Sequence, residues 1–402
     1  MTLQSGVGTT IAYKAESLFG TAAGPSGGQL LRYNSSSLSP VRDSFQSSEN
    51  RPDQQIQDFR LGTRRPAGSL ETEIAAANLD ALLGAALRGS WSNGVSGTES
   101  DFTSVTVDAG SRTATIGGGS FLATGFKTGD IVRFADLSAA GNNGRNLTVT
   151  ALTATTMTFA EDVAEIASPD TAFTVAVAGA KLVPATARDS FTIEQNYPDI
   201  DVSEVFTGCR VNSATVKMPA NGLAMATFGI MAKGYAVHEG AEAPYFTAPA
   251  EAPTNGLMEL VTGDVFIDGA RVAVVTDAEV SIALNMQADP VVGAQEVPEI
   301  FYGSMAVTGR MSIYLENAVY LQAFDGETEL EVWFVLKAPG SEPQDFLAVR
   351  LHRIKATANE KSLAAGGGIV QSIPFQGLLR SGGSGTVHDT GSLVLQRGNP
   401  VS

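Results

Sequence analysis

Three histidines, His238, His352 and His388, and one cysteine, Cys209, are the side chains of this sequence best suited to metal or nucleophilic chemistry. The histidines have no ligand spacing that would place two imidazoles on one helix face or one hairpin. Cys209 has no obvious basic partner, and a lone cysteine excludes an intrachain disulfide. No glycine-rich loop ends in Lys followed by Ser or Thr, so the phosphate-cradling signature is absent. Gly117–Gly119 and Gly366–Gly368 read as turns or linkers rather than anion nests. The carboxylates are scattered, with no pair standing out as general acid and base. We therefore expect no catalytic residue, no metal and no cofactor, and do not read the chain as an enzyme.

One polar segment, 46–62, is richer in groups that recognise other surfaces. It carries Glu49, Arg51, Asp53, Gln54, Gln55, Asp58 and Arg60, with Arg64 just beyond. Mixed charges of this kind set register and partner choice between proteins more than they add affinity. Arg60, Arg64 and Arg65 invite a nucleic-acid reading. Against it stand 42 acidic and 26 basic residues, a net charge of −16. Nucleic-acid affinity comes largely from neutralising phosphates, so pairing with acidic loops on a neighbouring subunit is the better expectation.

The elements that must hold this segment are mostly strands. Only 17% of residues are charged, and glycine is plentiful at 43 residues, which suits short strands and tight turns. Alternation at Val280, Ile282, Leu284 and Met286, at Met311, Ile313 and Leu315, and at Leu70, Thr72 and Ile74 marks half-buried strands. Asp268-Gly269 predicts a type I′ hairpin turn, and Asn221-Gly222 a second. Two helices are expected. One is capped by Asn78, buries Leu79, Leu82, Leu83, Ala86 and Leu87, and closes at Gly89; the other runs from Asn317 to Phe324.

Shifting the chain by 241 positions aligns these elements with one another. Gln46 falls on Gln287, Gln54 on Gln295, Gly62 on Gly303 and Gly68 on Gly309, and the two helices overlap. The order of elements agrees as well, so we read a duplication. The polar segment then has a mate at 287–303, which adds Gln295, Glu296 and Glu299 to the candidate contact residues. Residues 94–183 have no counterpart. Their hairpin patterns, such as 105–107 with 113–116 and 147–151 with 156–159, predict a small inserted β domain. Gly24–Gly28 and Ser381–Gly385 read as linkers or mobile loops, and the C-terminal stretch as a loosely held arm.

Five phrases in order carry a resemblance: Ile11-Ala12-Tyr13-Lys14-Ala15-Glu16-Ser17-Leu18-Phe19-Gly20-Thr21; the loop from Ser47 to Gly62; Leu82-Leu83-Gly84-Ala85-Ala86-Leu87; Val205-Phe206-Thr207-Gly208-Cys209-Arg210; and Val370-Gln371-Ser372-Ile373-Pro374-Phe375-Gln376-Gly377-Leu378. Together they resemble the tail tube proteins of long-tailed, siphovirus-type bacteriophages.

The resemblance implies a mainly β fold: two tandem tail-tube-type β-sandwich or barrel domains, each with a flanking helix. The first would comprise residues 1–93 and 184–250, the second 251–380, with the inserted β domain at 94–183 as outward decoration and a C-terminal arm at 381–402. It implies a structural subunit that stacks as rings into a conduit for genome DNA. With a duplicated chain, the rings would be homotrimers with pseudo-sixfold symmetry. The long loop in each half would take part in ring stacking. Expected partners are other copies of the chain and the tape measure, tail terminator and baseplate proteins, with DNA passing the lumen unbound. The chain would reside in the virion tail after assembly in the bacterial cytoplasm. No basic leader with an apolar core opens the sequence and no stretch of 18 uncharged apolar residues occurs, so no membrane association is expected. Another tail component, such as a terminator or baseplate protein, and a host-surface binding module remain as alternatives. The insert's aromatics are all phenylalanines: Phe102, Phe121, Phe126, Phe134, Phe159 and Phe173.

Overall fold

A computed structural model describes residues 3–361 and 367–398. Met1 and Thr2, Gly366 of the second glycine run and the last residues of the terminal arm lie outside the described residues. The fold is mainly β, with few and short helices.

The elements used below run as follows: β1 (Ser35–Ser36), β2 (Arg42–Gln46), β3 (Phe59–Arg64), β4 (Ala67–Glu73), α1 (Asp80–Leu87), β5 (Ala180–Leu182), β6 (Val202–Pro219), β7 (Met225–Met231), β8 (Val275–Ala283), β9 (Ala306–Tyr314), α2 (Val319–Asp325), β10 (Leu330–Lys337), β11 (Phe346–Ala356), β12 (Val370–Gly377) and β13 (Val394–Arg397).

A continuous antiparallel ladder runs β1–β4–β7–β6–β8–β9–β12–β11. It divides in the middle. β1–β4–β7–β6 comes from residues 35–231 and β8–β9–β12–β11 from residues 275–377. The joint is β6 against β8, with Ser213 opposite Ala283 and Pro219 opposite Asp277. The 241-residue shift carries β4 onto β9 and α1 onto the stretch that includes α2. It also carries two glycines onto equivalent crowded sites. A Cβ on Gly68 would lie 2.4 Å from the Leu38 Cα, and one on Gly309 would lie 2.7 Å from the Glu279 carbonyl oxygen. Neither neighbour is a side chain that can swing away. Gly68→Ala and Gly309→Ala are each expected to cost about 1–3 kcal/mol by overpacking, read as a lower urea midpoint at unchanged slope.

One face of the ladder is packed. Leu70, Phe228, Ala214, Val216, Val280, Ile282, Val307 and Met311 enter the main core together with Leu82, Leu83 and Leu87 of α1. The caps of α1 differ from expectation. Asn78 is buried, its side chain has no hydrogen-bond partner, and the N-cap position belongs to Leu79. Packing, rather than a side-chain cap, holds this helix start. At the other end Arg88, not Gly89, takes the left-handed conformation, with φ 54°. Its guanidinium donates to the carbonyls of Thr186 and Ala187, which offsets the strain. The Asp268-Gly269 turn has both residues at positive φ, as a type I′ turn requires. At Asn221-Gly222 neither residue does, and Lys217 pairs with Met225 across a longer loop. In α2, Asn317 Oδ1 accepts from the Val319 N–H, so the helix begins just after the expected residue.

β10 is apolar except at Glu331 and Lys337, and β11 opens with the apolar run Phe346–Val349, as strands buried on both faces do. Val332, Phe334, Val349 and Leu351 point into the main core. Trp333, Val335 and Ala348 point the other way, against Ile131 and Ala178 of the 94–183 segment. That segment forms its own eight-stranded sheet around a separate core. All six of its phenylalanines lie in that core, so none offers a platform on which a sugar could stack.

The same outer face holds a buried ionic joint. Asp130 accepts from Arg350 Nη1 at 2.7 Å and from Lys181 Nζ at 2.6 Å, and Lys181 also reaches Asp389 at 2.9 Å. Arg350 and Asp130 are fully buried. The segment expected as a loose terminal arm instead contributes β13, which pairs with both β5 and β11. Gln396 donates to the Ile131 and Ala178 carbonyls. The Ser381–Gly385 stretch, expected as a linker or mobile loop, accepts a hydrogen bond from Lys127 at Gly383, and the adjoining Thr386 carbonyl accepts a second. Gly24–Gly28 is likewise tied down, with Gly27 N–H donating to Thr247 and Gly28 accepting from Ala250.

Candidate functional site

β2 and β3 form a ribbon that joins neither large sheet. Gln46 pairs with Phe59, Phe45 with Arg60 and Ser44 with Leu61. Side chains alternate across a strand, so Phe59 and Leu61 occupy one face of the ribbon and Phe45 the other. Phe45 rests on Gly62, where a Cβ would meet its ring at 2.5 Å. Even so, Phe45 and Ile56 are 64% exposed, Phe59 57% and Leu61 53%. An isolated two-stranded ribbon is marginally stable in water. One that is apolar on both faces is built to be covered.

The charged residues at the tip mostly neutralise one another. Arg51 pairs with Asp53 at 3.0 Å and Arg60 with Asp58 at 2.9 Å. The hydrogen bond from Arg51 holds the Asp53 carboxyl below its usual range. Gln55 N–H donates to Asp53, and Gln54 takes a positive φ at the turn. Glu49 makes no ion pair among the described residues. Arg65 pairs with Asp43 inside the chain at 3.2 Å. The arginine cluster is therefore partly spent on its own loop and not presented as a phosphate-binding patch.

The repeat mate closes in the same way. Gln287 and Phe301 exchange two backbone hydrogen bonds, much as Gln46 faces Phe59. Above that closure Val291, Val292 and Phe301 are exposed. The loops of the two halves meet, because Arg64 N–H donates to the Gln295 carbonyl at 2.7 Å and Arg64 bridges to Glu296. Glu299 turns inward and pairs with the buried Arg210, whose guanidinium lies 3.9 Å over the Phe19 ring. The structure thus separates the sequence candidates. Arg64, Gln295 and Glu296 join the two loops within one chain and Glu299 ties the second loop to β6, while Glu49, Arg51, Asp53, Gln54, Gln55, Asp58 and Arg60 sit at the ribbon and its tip. The four exposed apolar residues escaped the sequence reading, which weighed the charges of a polar loop. Phe59 and Leu61 within that loop, with Phe45 just before it, were the available signal. Beside the ribbon's base, Pro40, Val41, Pro66, Tyr235 and Val237 line a shallow groove of about 290 Å³.

The open face of the eight-strand ladder is the second candidate surface. It carries Ser69, Thr215, Thr227, Ser281 and Thr308, and its charges are Glu71, Glu73, Asp277 and Glu279 against Lys217, Arg310 and Lys355. Thr215 and Ser281 hydrogen-bond across the central joint at 2.8 Å. The face is hydroxyl-rich and close to neutral, with a slight acidic excess.

No helix among the described residues is long and apolar enough to cross a membrane. These surfaces are suited to association. No curated protein matches the chain. A sequence profile of phage tail tube proteins matches residues 6–377, nearly the whole chain. That match, with the mainly β architecture and the exposed ribbon, places the chain in the phage tail tube protein family, a component of the virion tail.

Proposed function

We propose that three copies of this chain close into a ring with pseudo-sixfold symmetry, and that rings stack into the conduit through which the genome leaves the capsid. The observation that carries this reading is the ladder joint between β6 and β8. The two half-chains already meet there as two subunits of a ring would, edge to edge through backbone hydrogen bonds. The same joint between chains would set the far end of one ladder, at 355–361 where the chain runs beside β12 and beyond its pairing with β10, against β1 of the next. Three ladders then give a barrel of about 24 strands, and barrels with fewer strands already enclose aqueous channels.

The open ladder face lines that channel in this arrangement. DNA carries one charge per roughly 1.7 Å. A face of hydroxyls with balanced charge gives it no continuous basic track to hold. The 94–183 segment lies on the outer face of β10 and β11, away from the ladder's open side, which supports its place as a decoration on the outside. The ribbon, with its mate loop, carries ring-to-ring contacts. Tape measure, terminator and baseplate proteins are the further partners, and assembly takes place in the host cytoplasm.

Negative-stain electron microscopy of the purified protein tests the reading, with tubes or stacked rings as the expected result. Replacing Glu49, Asp53 and Asp58 together by Lys should reduce tubes to rings or smaller species, since it both breaks the tip's ion pairs and reverses its charge. Normal tubes from that variant would remove the tip charges from the contact.

A further inference from the structure

Glu331 on β10, His352 on β11 and His388 in the 380–391 segment are distant in sequence but converge at one edge of the buried ionic joint. Their donor atoms all lie within 4.8 Å of one another. Glu331 Oε1 is 2.5 Å from His352 Nδ1 and 3.7 Å from His388 Nδ1. The imidazole rings are 5.2 Å apart.

We propose that this trio binds a divalent zinc ion, which clasps the 380–391 segment to β10 and β11. Ligands about 2.0–2.1 Å from a tetrahedral zinc lie roughly 3.3–3.5 Å from each other. The two measured separations bracket that value, so loading the site needs only small shifts of side chains. The second observation is the state of the imidazoles. His388 Nδ1 is buried with no hydrogen-bond partner, at a distance from Glu331 too long for a hydrogen bond and close to that between two ligands of one ion. His352 is fully buried and its Nε2 also has no partner. Buried polar atoms left this way are costly, and an ion between the rings would satisfy one of them directly.

Two imidazoles and a carboxylate are a zinc-type donor set, with a fourth position left for water. Trp333 Nε1 donates to Glu331 Oε1 at 2.9 Å, so the carboxylate is oriented by a neighbour as a metal ligand's usually is. His388 and Glu331 keep 12% and 14% side-chain exposure, which provides a way in for the ion.

The test uses full-length, untagged protein stripped with EDTA and dialysed against roughly 10 µM zinc sulfate. Elemental analysis should find about one zinc per chain, and thermal unfolding should move to higher temperature in a way that EDTA reverses. His388→Gln, at the partly exposed ligand, should abolish both effects while leaving the metal-free melting curve nearly unchanged. Cobalt in place of zinc should give the visible absorption of a tetrahedral site in the parent chain and not in the variant. Uptake well below one ion per chain, or equal uptake by parent and His388→Gln, would overturn the proposal.

Discussion

A chain carrying Phe59→Asp and Leu61→Asp should fold, remain soluble and fail to form tubes. Both side chains lie on one face of the β2–β3 ribbon and are more than half exposed. Exposed substitutions of this kind change the stability of the isolated chain by no more than about 0.5 kcal/mol. In an assembled tube, burying what remains exposed of each would contribute about 1–1.5 kcal/mol per subunit. Every subunit repeats that loss, and a carboxylate placed in an apolar contact adds desolvation to it. Circular dichroism and thermal melting establish that the variant is folded. Electron microscopy then decides whether rings still stack. Long tubes from the folded variant would mean that the ribbon is not the stacking element. Phe45→Asp tests the opposite face, and its failure alongside a normal Phe59/Leu61 variant would place a partner on that side alone.

The largest effect on stability is expected from Asp130→Ala. It leaves Arg350 buried with no close carboxylate, the nearest being Asp389 at 3.8 Å from Nη2, and leaves Lys181 with Asp389 alone. Breaking a buried pair from one side costs about 3–5 kcal/mol, because the remaining charge stays desolvated. Denaturant unfolding should show that loss. Combining Asp130→Ala with Arg350→Met should recover much of it, and the difference between the variants measures the coupling. If Asp130→Ala costs less than about 1 kcal/mol, the joint does not hold the 94–183 segment in place. The same joint alters what excision of that segment would do. Removing 94–183 takes Asp130 and Lys181 away together and strands Arg350, so a clean excision must also replace Arg350 with an apolar residue.

Much of the fold was legible because period-two alternation needs only one buried face. Val280 and Ile282 alternate with Glu279 and Ser281, and the strand is there. The Asp268-Gly269 turn was legible for a similarly local reason, since its positive φ angles are a property of two residues. Asn78 and Asn221-Gly222 misled because tertiary packing overrode a local preference. In the first case the helix start is buried among apolar neighbours, and in the second the loop is longer than a two-residue turn. The terminal strand β13 was missed because Leu393, Val394 and Leu395 are a short apolar run after a glycine-rich stretch, and only pairing with β5 and β11 gives it meaning.

The candidate surface was half legible. The duplication pointed to both loops, but the charges that drew notice are largely paired within the chain. The apolar residues between them are what remain uncovered. The histidine cluster was not legible at all. Its members come from two strands and a loop, and ligand spacing in sequence can reveal only sites built within one hairpin or helix.

If three chains close into the proposed ring, the joint between β6 and β8 bears on how assembly responds to dilution. In a three-chain ring, half of the edge-to-edge joints are made within single molecules, at an effective concentration set by the chain and independent of dilution. Only the other half wait on encounters between molecules. Ring closure then requires three bodies to meet where an unduplicated subunit would require six. The population of closed rings should therefore fall less steeply as the protein is diluted, and duplication would serve as a means of nucleating a polymer from a scarce monomer.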